Sequence, residues 1–136
     1  MNAPWVVVAL LAASTACAPS VSDHDNRIFA VPAAVKLSAR DLSAAYTADR
    51  AGAGDLYRGR VIEISGVVRN FQLGATVLTL AAGDEGQIVE ASLHADAAAA
   101  VLATITDGQR ATLKCFCEGF DRRVRLKSCV APDPAR

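Results

Sequence analysis

The sequence predicts a small, mainly β domain in which five strands close into a barrel, with one helix before the strands and one among them. The first observation is a long β-branched segment at residues 60–70 that is interrupted by Gly66. A glycine inside a strand removes the Cβ that resists a bend, so one strand can join two sheets. The second observation is that four further strand-like segments follow, separated by turn signals. The chain has 136 residues, which is enough for one such domain and its core.

Alternation, propensity and turn residues place the strands and the second helix. The first strand is expected from Arg60 to about Phe71, and Gly83-Asp84-Glu85-Gly86 marks the turn before the third strand. The other predicted elements are strand two at 76–81, strand three at 87–93, a helix at 95–105, strand four at 109–117 and strand five at 123–130. The order β-β-β-α-β-β is that of an oligonucleotide/oligosaccharide-binding (OB) barrel.

A single helix is predicted before the first strand. Ser38 is placed as its N-cap, and Asp41 occupies the capping-box position three residues later. The helix is expected to end at about Asp49 or Arg50, because residues 51–54 read Ala-Gly-Ala-Gly.

The composition argues against a nucleic-acid partner. Lys and Arg together number 14, as do Asp and Glu, so no net charge attracts a polyanion at long range. Aromatic residues make up 5% of the chain, which leaves few rings for base stacking.

The amino terminus is typical of an exported bacterial protein. Residues 1–16 have no charged side chain, and the apolar run at 5–13 is too short to span a bilayer. Ser14-Thr15-Ala16-Cys17 is similar to a bacterial lipobox, in which Cys17 takes a diacylglyceryl group and becomes the first residue after cleavage. An ordinary signal cut at the same bond is the alternative, and either route leads to the periplasm or to a membrane anchor.

These segments give the expected organisation of the chain. It comprises a signal peptide at 1–16, a linker at 17–36, the OB-fold domain at 37–131 and a disordered tail at 132–136. His24, in the linker, is expected to be solvated.

With the elements placed, the chain from about Leu37 to Val130 resembles the bacterial OB-fold lipoproteins of the tRNA-anti-like family. The resemblance rests on Leu42-Ser43-Ala44-Ala45-Tyr46, Ala53-Gly54-Asp55-Leu56-Tyr57-Arg58-Gly59-Arg60, Ile64-Ser65-Gly66-Val67-Val68, Asp107-Gly108-Gln109, Cys117-Glu118-Gly119 and Val124-Arg125-Leu126-Lys127-Ser128-Cys129-Val130. It implies the barrel and export, and it implies no characterised activity.

The resemblance also implies a disulfide between Cys117 and Cys129, which an oxidising compartment would favour. Simple alternation along strand five, however, turns Cys129 away from the face of Val124 and Leu126, while Cys117 points inward. A bulge near Ser128 would reconcile the two directions. From the residues alone, the choice of partner for Cys129 stays open.

A second interpretation of the cysteines is a thiol site. Cys115 and Cys117 lie two residues apart, so on a strand they share a face and could bind a soft metal such as Cu(I). A structural disulfide with one buried free thiol is the alternative. The sequence has no Cys-x-x-Cys pair to complete a tetrahedral zinc site.

Basic residues of strands four and five are the candidate ligand-binding residues. Arg123, Arg125 and Lys127 alternate along strand five and share a face, and Lys114 and Arg110 could extend that face across strand four. Such a surface could bind a sugar, a phosphate or another polyanion. The alternative is a solvated strand face that resists edge-to-edge aggregation.

No catalytic grouping is recognisable, and His94 is interpreted as a cap or surface residue at the start of the second helix. We therefore expect a non-enzymatic, exported and membrane-tethered OB-fold binding module without a cofactor or metal. Its expected partner is an unidentified envelope protein or glycan, with the membrane reached through a lipid on Cys17. A polyanion- or oligosaccharide-binding domain that uses the basic hairpin is the alternative function.

Overall fold

The computed structural model describes residues 22–69, 76–83 and 86–134 of the chain. The predicted signal peptide and Cys17 lie outside these residues. The helices are α1 (Ala39–Ala48), α2 (Arg50–Tyr57) and α3 (Ala95–Leu102), and a 3₁₀ helix spans Asn26–Phe29. The strands are β1 (Val35–Ser38), β2 (Val61–Arg69), β3 (Val77–Ala81), β4 (Ile88–Leu93), β5 (Arg110–Asp121) and β6 (Arg123–Val130). Among the described residues, no helix has the length and apolar character needed to cross a bilayer.

Five of the strands form a closed barrel. The sheet order is β1-β2-β3-β4-β6-β5, and pairing of β2 with β5 closes the ring. Within the ring β4 and β6 are parallel, and the other neighbours are antiparallel. The barrel therefore has an OB-like strand order, as the sequence predicts.

The strand that contains Gly66 joins two neighbours, as expected. Its first seven residues pair with β5 and its last three with β3, so Val67 faces both Arg110 and Ala81. The glycine also permits a close approach between layers. A Cβ at Gly66 would lie 3.0 Å from Cβ of Ala39 at the start of α1 and 3.2 Å from Cβ of Leu80. The absence of a side chain at Gly66 thus lets α1 pack against the barrel.

The prediction of one helix before the barrel was wrong, because two helices occupy this region. Asp49 has an extended backbone that ends α1, and its side chain accepts a hydrogen bond of 3.0 Å from Gly52 N–H. Asp49 is therefore the N-cap of α2, which continues through Gly52 and Gly54. The short parallel strand β1, paired with β2, was also not predicted.

The segment before β1 lies across β5 and β6, and we call residues 22–31 the strap. Ser128 Oγ accepts a hydrogen bond from Asp25 N–H at 2.8 Å and donates one to Ser22 O at 2.6 Å. Ile28 packs with Val61, Phe116 and Val130 in a small apolar cluster outside the barrel interior. Part of the region predicted as a linker thus contacts the barrel through both polar and apolar groups.

Candidate functional site

A cleft of about 510 Å³ lies between α2 and the end of the β5–β6 hairpin. Its wall on the helix side contains Arg50 and Arg58, which flank α2 at its two ends. The hairpin contributes Phe120 and Arg125, and α1 contributes Tyr46. We call this the arginine cleft, defined by Arg50, Arg58, Arg125, Phe120 and Tyr46.

Aromatic stacking and one glycine shape the cleft. The Arg50 guanidinium lies 4.3 Å from the centroid of the Phe120 ring, a cation–π distance. Phe120 in turn stacks on Tyr46, with the ring centroids 6.1 Å apart and the planes inclined by 21°. The side chain of Arg58 crosses Gly119, where an added Cβ would lie 3.6 Å from Arg58 Cδ. These contacts hold two guanidinium groups along one side of the cleft.

The charges of the cleft are unevenly compensated. Arg125 is 3.9 Å from Asp121, and Glu118 is 3.5 Å from Lys127 outside the cleft. Within the part of the chain that the structure describes, no ion pair joins Arg50 or Arg58 to a carboxylate. Two cationic groups are thus available to an anion entering the cleft.

Two polar atoms in the wall of the cleft are buried without a hydrogen-bond partner among the described residues. They are Arg125 Nε and Glu118 Oε2, the second of which forms an ion pair of 3.5 Å with Lys127 Nζ that lacks hydrogen-bond geometry. A buried N–H without a partner is costly, so a ligand oxygen or a water molecule placed beside Arg125 Nε would be stabilised. Arg125 lines the cleft, so its guanidinium is a third cationic group beside those of Arg50 and Arg58. The carboxylates of Asp55, Glu118 and Asp121 also line the cleft and oppose the entry of an anion.

A buried thiol lies next to Tyr46, and its environment does not favour nucleophilic attack. Cys117 Sγ and the Tyr46 hydroxyl are 3.5 Å apart and both side chains are buried. Burial raises the pKa of the Cys117 thiol, although the Tyr46 contact acts in the opposite direction. Burial also raises the pKa of Tyr46. Cys117 therefore stays a protonated thiol at neutral pH, the less reactive form.

The predicted disulfide between Cys117 and Cys129 is wrong, because Cys129 is bonded to Cys115. In the hairpin register Lys114 faces Val130 and Phe116 faces Lys127, so Cys115 stands opposite two residues of β6. The bulge expected near Ser128 is present, with a Ser128 φ of 55° and buried side chains at 128, 129 and 130. It turns Cys129 inward at the level of Cys115, whereas Cys117 faces Leu126.

The bridge also contradicts the alternative of a two-thiol metal site. Cys115 is in the disulfide, so Cys117 is the free cysteine of the described chain. Over residues 22–69, 76–83 and 86–134, no group of three or more His, Cys, Asp or Glu side chains could hold a metal ion.

The four candidate basic residues do not form one open surface. Lys114 is only 2% exposed, and its ammonium group donates to Asp133 Oδ1 at 2.8 Å and to Val31 O at 3.2 Å. Each of the other three has at least one carboxylate partner. These pairs are Arg123 with Glu90 at 3.3 Å, Arg125 with Asp121 at 3.9 Å, and Lys127 with Asp23 at 3.2 Å and Glu118 at 3.5 Å.

His94 is a helix cap, as the sequence suggests, but it is buried rather than on the surface. Its Nδ1 accepts the Asp96 N–H at 3.1 Å, and its Nε2 is 2.9 Å from Asn26 Oδ1. His24 of the strap, expected to be solvated, is exposed and accepts the Ala95 N–H at 3.2 Å. Both histidines thus serve the first turn of α3.

Sequence reasoning missed the two arginines that distinguish the cleft. Their positions depend on α2, which was interpreted as a stop after α1. The available signal was Asp49 three residues before Gly52, a spacing that allows a carboxylate to cap a new helix.

The closed barrel and its hairpin cleft place the chain among proteins with an OB-like fold. The sequence profile of the tRNA-anti-like family matches residues 3–130, and the chain belongs to that family. A similar solved structure is a protein from Klebsiella pneumoniae, described as a "putative nucleic acid-binding lipoprotein". It is 13% identical over 77% of this chain and 95% of its own, with a TM-score of 0.57, so the likeness concerns the fold. No curated protein matches the chain.

Proposed function

We propose that the protein is an exported, non-catalytic binding module that a lipid on Cys17 anchors to a membrane, with the arginine cleft as its binding site. Support for the anchor comes from Ser14-Thr15-Ala16-Cys17 at the end of an uncharged, apolar segment. The Klebsiella pneumoniae protein of similar fold, which is described as a lipoprotein, points in the same direction.

The observation that favours this cleft as the binding site is the pair of guanidinium groups that have no carboxylate partner among the residues the structure describes. Arg50 and Arg58 line a concave surface of about 510 Å³, which also offers the Phe120 ring. Concave sites with a few convergent polar groups and an aromatic wall are typical of small-molecule and headgroup recognition. The basic face of β6 is a weaker candidate, because Arg123, Arg125 and Lys127 each have a carboxylate partner.

The proposed partner is a component of the cell envelope rather than a nucleic acid. The solved relative is described as nucleic acid-binding, but this chain has zero formal net charge. Extended single strands need a basic groove with several stacking rings. The arginine cleft has two such rings, Tyr46 and Phe120, and they stack on each other.

Intact mass spectrometry of the membrane fraction tests the anchor. We expect a chain that begins at Cys17 and bears a diacylglyceryl thioether. A Cys17→Ser variant should lack the added mass and leave the membrane fraction. An unmodified chain cut after Ala16 would contradict the proposal and establish an ordinary signal peptide.

A further inference from the structure

The strap begins beside the arginine cleft. Ser22 O accepts the hydrogen bond from Ser128, and the next residue, Asp23, lies 3.2 Å from the ammonium group of Lys127. The same ammonium group is 3.5 Å from Glu118, which lines the cleft. Burial lowers the pKa of Lys127, but Asp23 and Glu118 outweigh this effect and the net shift is upward. The charged lysine thus joins the beginning of the strap to one wall of the cleft.

The covalent distance from this point to the proposed anchor is short. Ser22 follows Cys17 by five positions along the chain. Even a fully extended backbone covers about 18 Å over that length. A diacylglyceryl group on Cys17 would lie at the boundary between acyl chains and headgroups, so the cleft would be kept within reach of the headgroup layer.

The chemistry of the cleft suits the phosphate of a headgroup. A guanidinium group donates two parallel hydrogen bonds to phosphate oxygens, and such charge-assisted pairs are stronger than neutral ones. Arg50 and Arg58 supply this chemistry without competing carboxylate partners among the described residues, and Arg125, which also lines the cleft, has an Nε–H without a partner there. Glu118 and Asp121 repel an anion less than isolated carboxylates would, because each has a cationic partner. Asp55 is the third carboxylate of the lining, and a bound phosphate must lie on the arginine side of it.

We propose that the arginine cleft binds the phosphate of an anionic phospholipid headgroup in the membrane to which Cys17 is anchored. This inference rests on the proposed function, because the lipid anchor is what brings headgroups to the cleft. Bound in this way, the headgroup would be a second contact that orients the barrel on the bilayer, with the cleft facing the lipid.

The test uses the full chain in bicelles and follows the Nε–H resonances of its arginine side chains by NMR. Pure phosphatidylcholine bicelles are compared with bicelles in which a third of the lipid is phosphatidylglycerol, and inorganic phosphate is titrated separately. We expect phosphatidylglycerol to shift the Arg50, Arg58 and Arg125 resonances, and phosphate to shift them with saturation. In an Arg50→Gln/Arg58→Gln variant, followed at Arg125, phosphate binding should weaken at least tenfold.

Arg110→Gln is the matched control, because Arg110 is exposed at the opposite end of β5. It should respond as the native chain does. The inference would be overturned by no response to phosphatidylglycerol, by an equal response in the double variant, or by an equal loss in the Arg110 control. A response to free phosphate alone would also overturn it, because the ligand would then be soluble. If Cys17 is acylated but the arginine resonances of the cleft do not respond to phosphatidylglycerol, the membrane anchor of the proposed function still stands. An unacylated Cys17 contradicts that function directly.

Discussion

At the scale of single residues, Lys114 was predicted to lie on a basic surface but is buried. On strand alternation its side chain was grouped with the basic face of β6, yet it is buried between the strap and the residues after β6. Its ion-pair partner Asp133 is half exposed, with 54% of its side chain open to solvent. Removing Asp133 therefore leaves a buried charge, whereas removing Lys114 leaves a carboxylate in contact with solvent.

We expect Asp133→Ala to cost more stability than Lys114→Met. Removing Asp133 leaves a buried ammonium group with one neutral acceptor, and hydrogen bonds to charged groups contribute about 1.5–3 kcal/mol. Replacing Lys114 by Met removes the buried charge and leaves a carboxylate that water can reach, which should cost under about 1 kcal/mol. Urea unfolding of both variants measures the difference. A costlier Lys114→Met would show that the packing of the lysine side chain matters more to stability than its ion pair with Asp133.

The buried thiol and phenol predict an alkaline loss of stability. The pKa values of Cys117 and Tyr46 are raised in the folded protein. Above about pH 8.5 the unfolded chain releases the thiol proton while the folded chain keeps it. The unfolded state then binds fewer protons, so the free energy of unfolding falls as pH rises, by up to about 1.4 kcal/mol per pH unit for each group.

Chemical unfolding from pH 7 to 10 measures this slope. Cys117→Ala should flatten it above pH 8.5, and Tyr46→Phe should act only from about pH 10, near the ordinary pKa of tyrosine. The samples need short incubation, because a thiolate in the unfolded chain can attack the disulfide. An unchanged slope in Cys117→Ala would mean that the thiol ionises equally in both states.

At the scale of elements, the contact between α1 and β2 depends on what Gly66 lacks. A Cβ there would be 3.0 Å from Ala39 Cβ and 3.2 Å from Leu80 Cβ, so at least one neighbour must move. We expect Gly66→Ala to destabilise the protein by about 1–3 kcal/mol through overpacking. Adding Ala39→Gly should recover part of the loss, because it removes the nearer of the two contacts. Thermal or urea unfolding checks both variants.

Gly54→Ala is the control for that experiment. Gly54 lies inside α2 with no atom within 4 Å of an added Cβ and no positive φ. Alanine should therefore leave stability unchanged or raise it by about 0.4–1 kcal/mol. If both glycine variants were equally harmless, close packing at Gly66 would not be what holds α1 on the barrel.

The helices and strands also show which features of the fold the sequence predicts and which it does not. The order of the strands and the pairing of β2 with two neighbours followed from local alternation and from Gly66, which are properties of neighbouring residues. The disulfide partner of Cys129 did not follow from such local properties, because one inserted residue at Ser128 changes which cysteine faces Cys129. The helix α2 was missed because glycines at 52 and 54 outweighed Asp49, whose capping contact compensates for them.

At the scale of the whole molecule, the strap contacts the barrel and lies next to the wall of the arginine cleft. The strap crosses the β5–β6 hairpin and begins beside Glu118 in the wall of the cleft. Composition and alternation could not predict this, because it depends on contacts between residues about a hundred positions apart, such as Ser22 with Ser128. Along β5 the cleft and Arg110 lie at opposite ends, roughly 30 Å apart at 3.3 Å per residue.

Depth measurement on the anchored protein tests the account most directly. One sample carries a nitroxide at exposed Ala51 in the cleft, and a second carries it at exposed Thr106, shortly before β5. Each chain is reconstituted in vesicles whose headgroups carry chelated gadolinium. The account predicts clearly stronger relaxation at residue 51 than at residue 106, because the cleft faces the headgroups. Equal relaxation at the two sites, or stronger relaxation at residue 106, would contradict it.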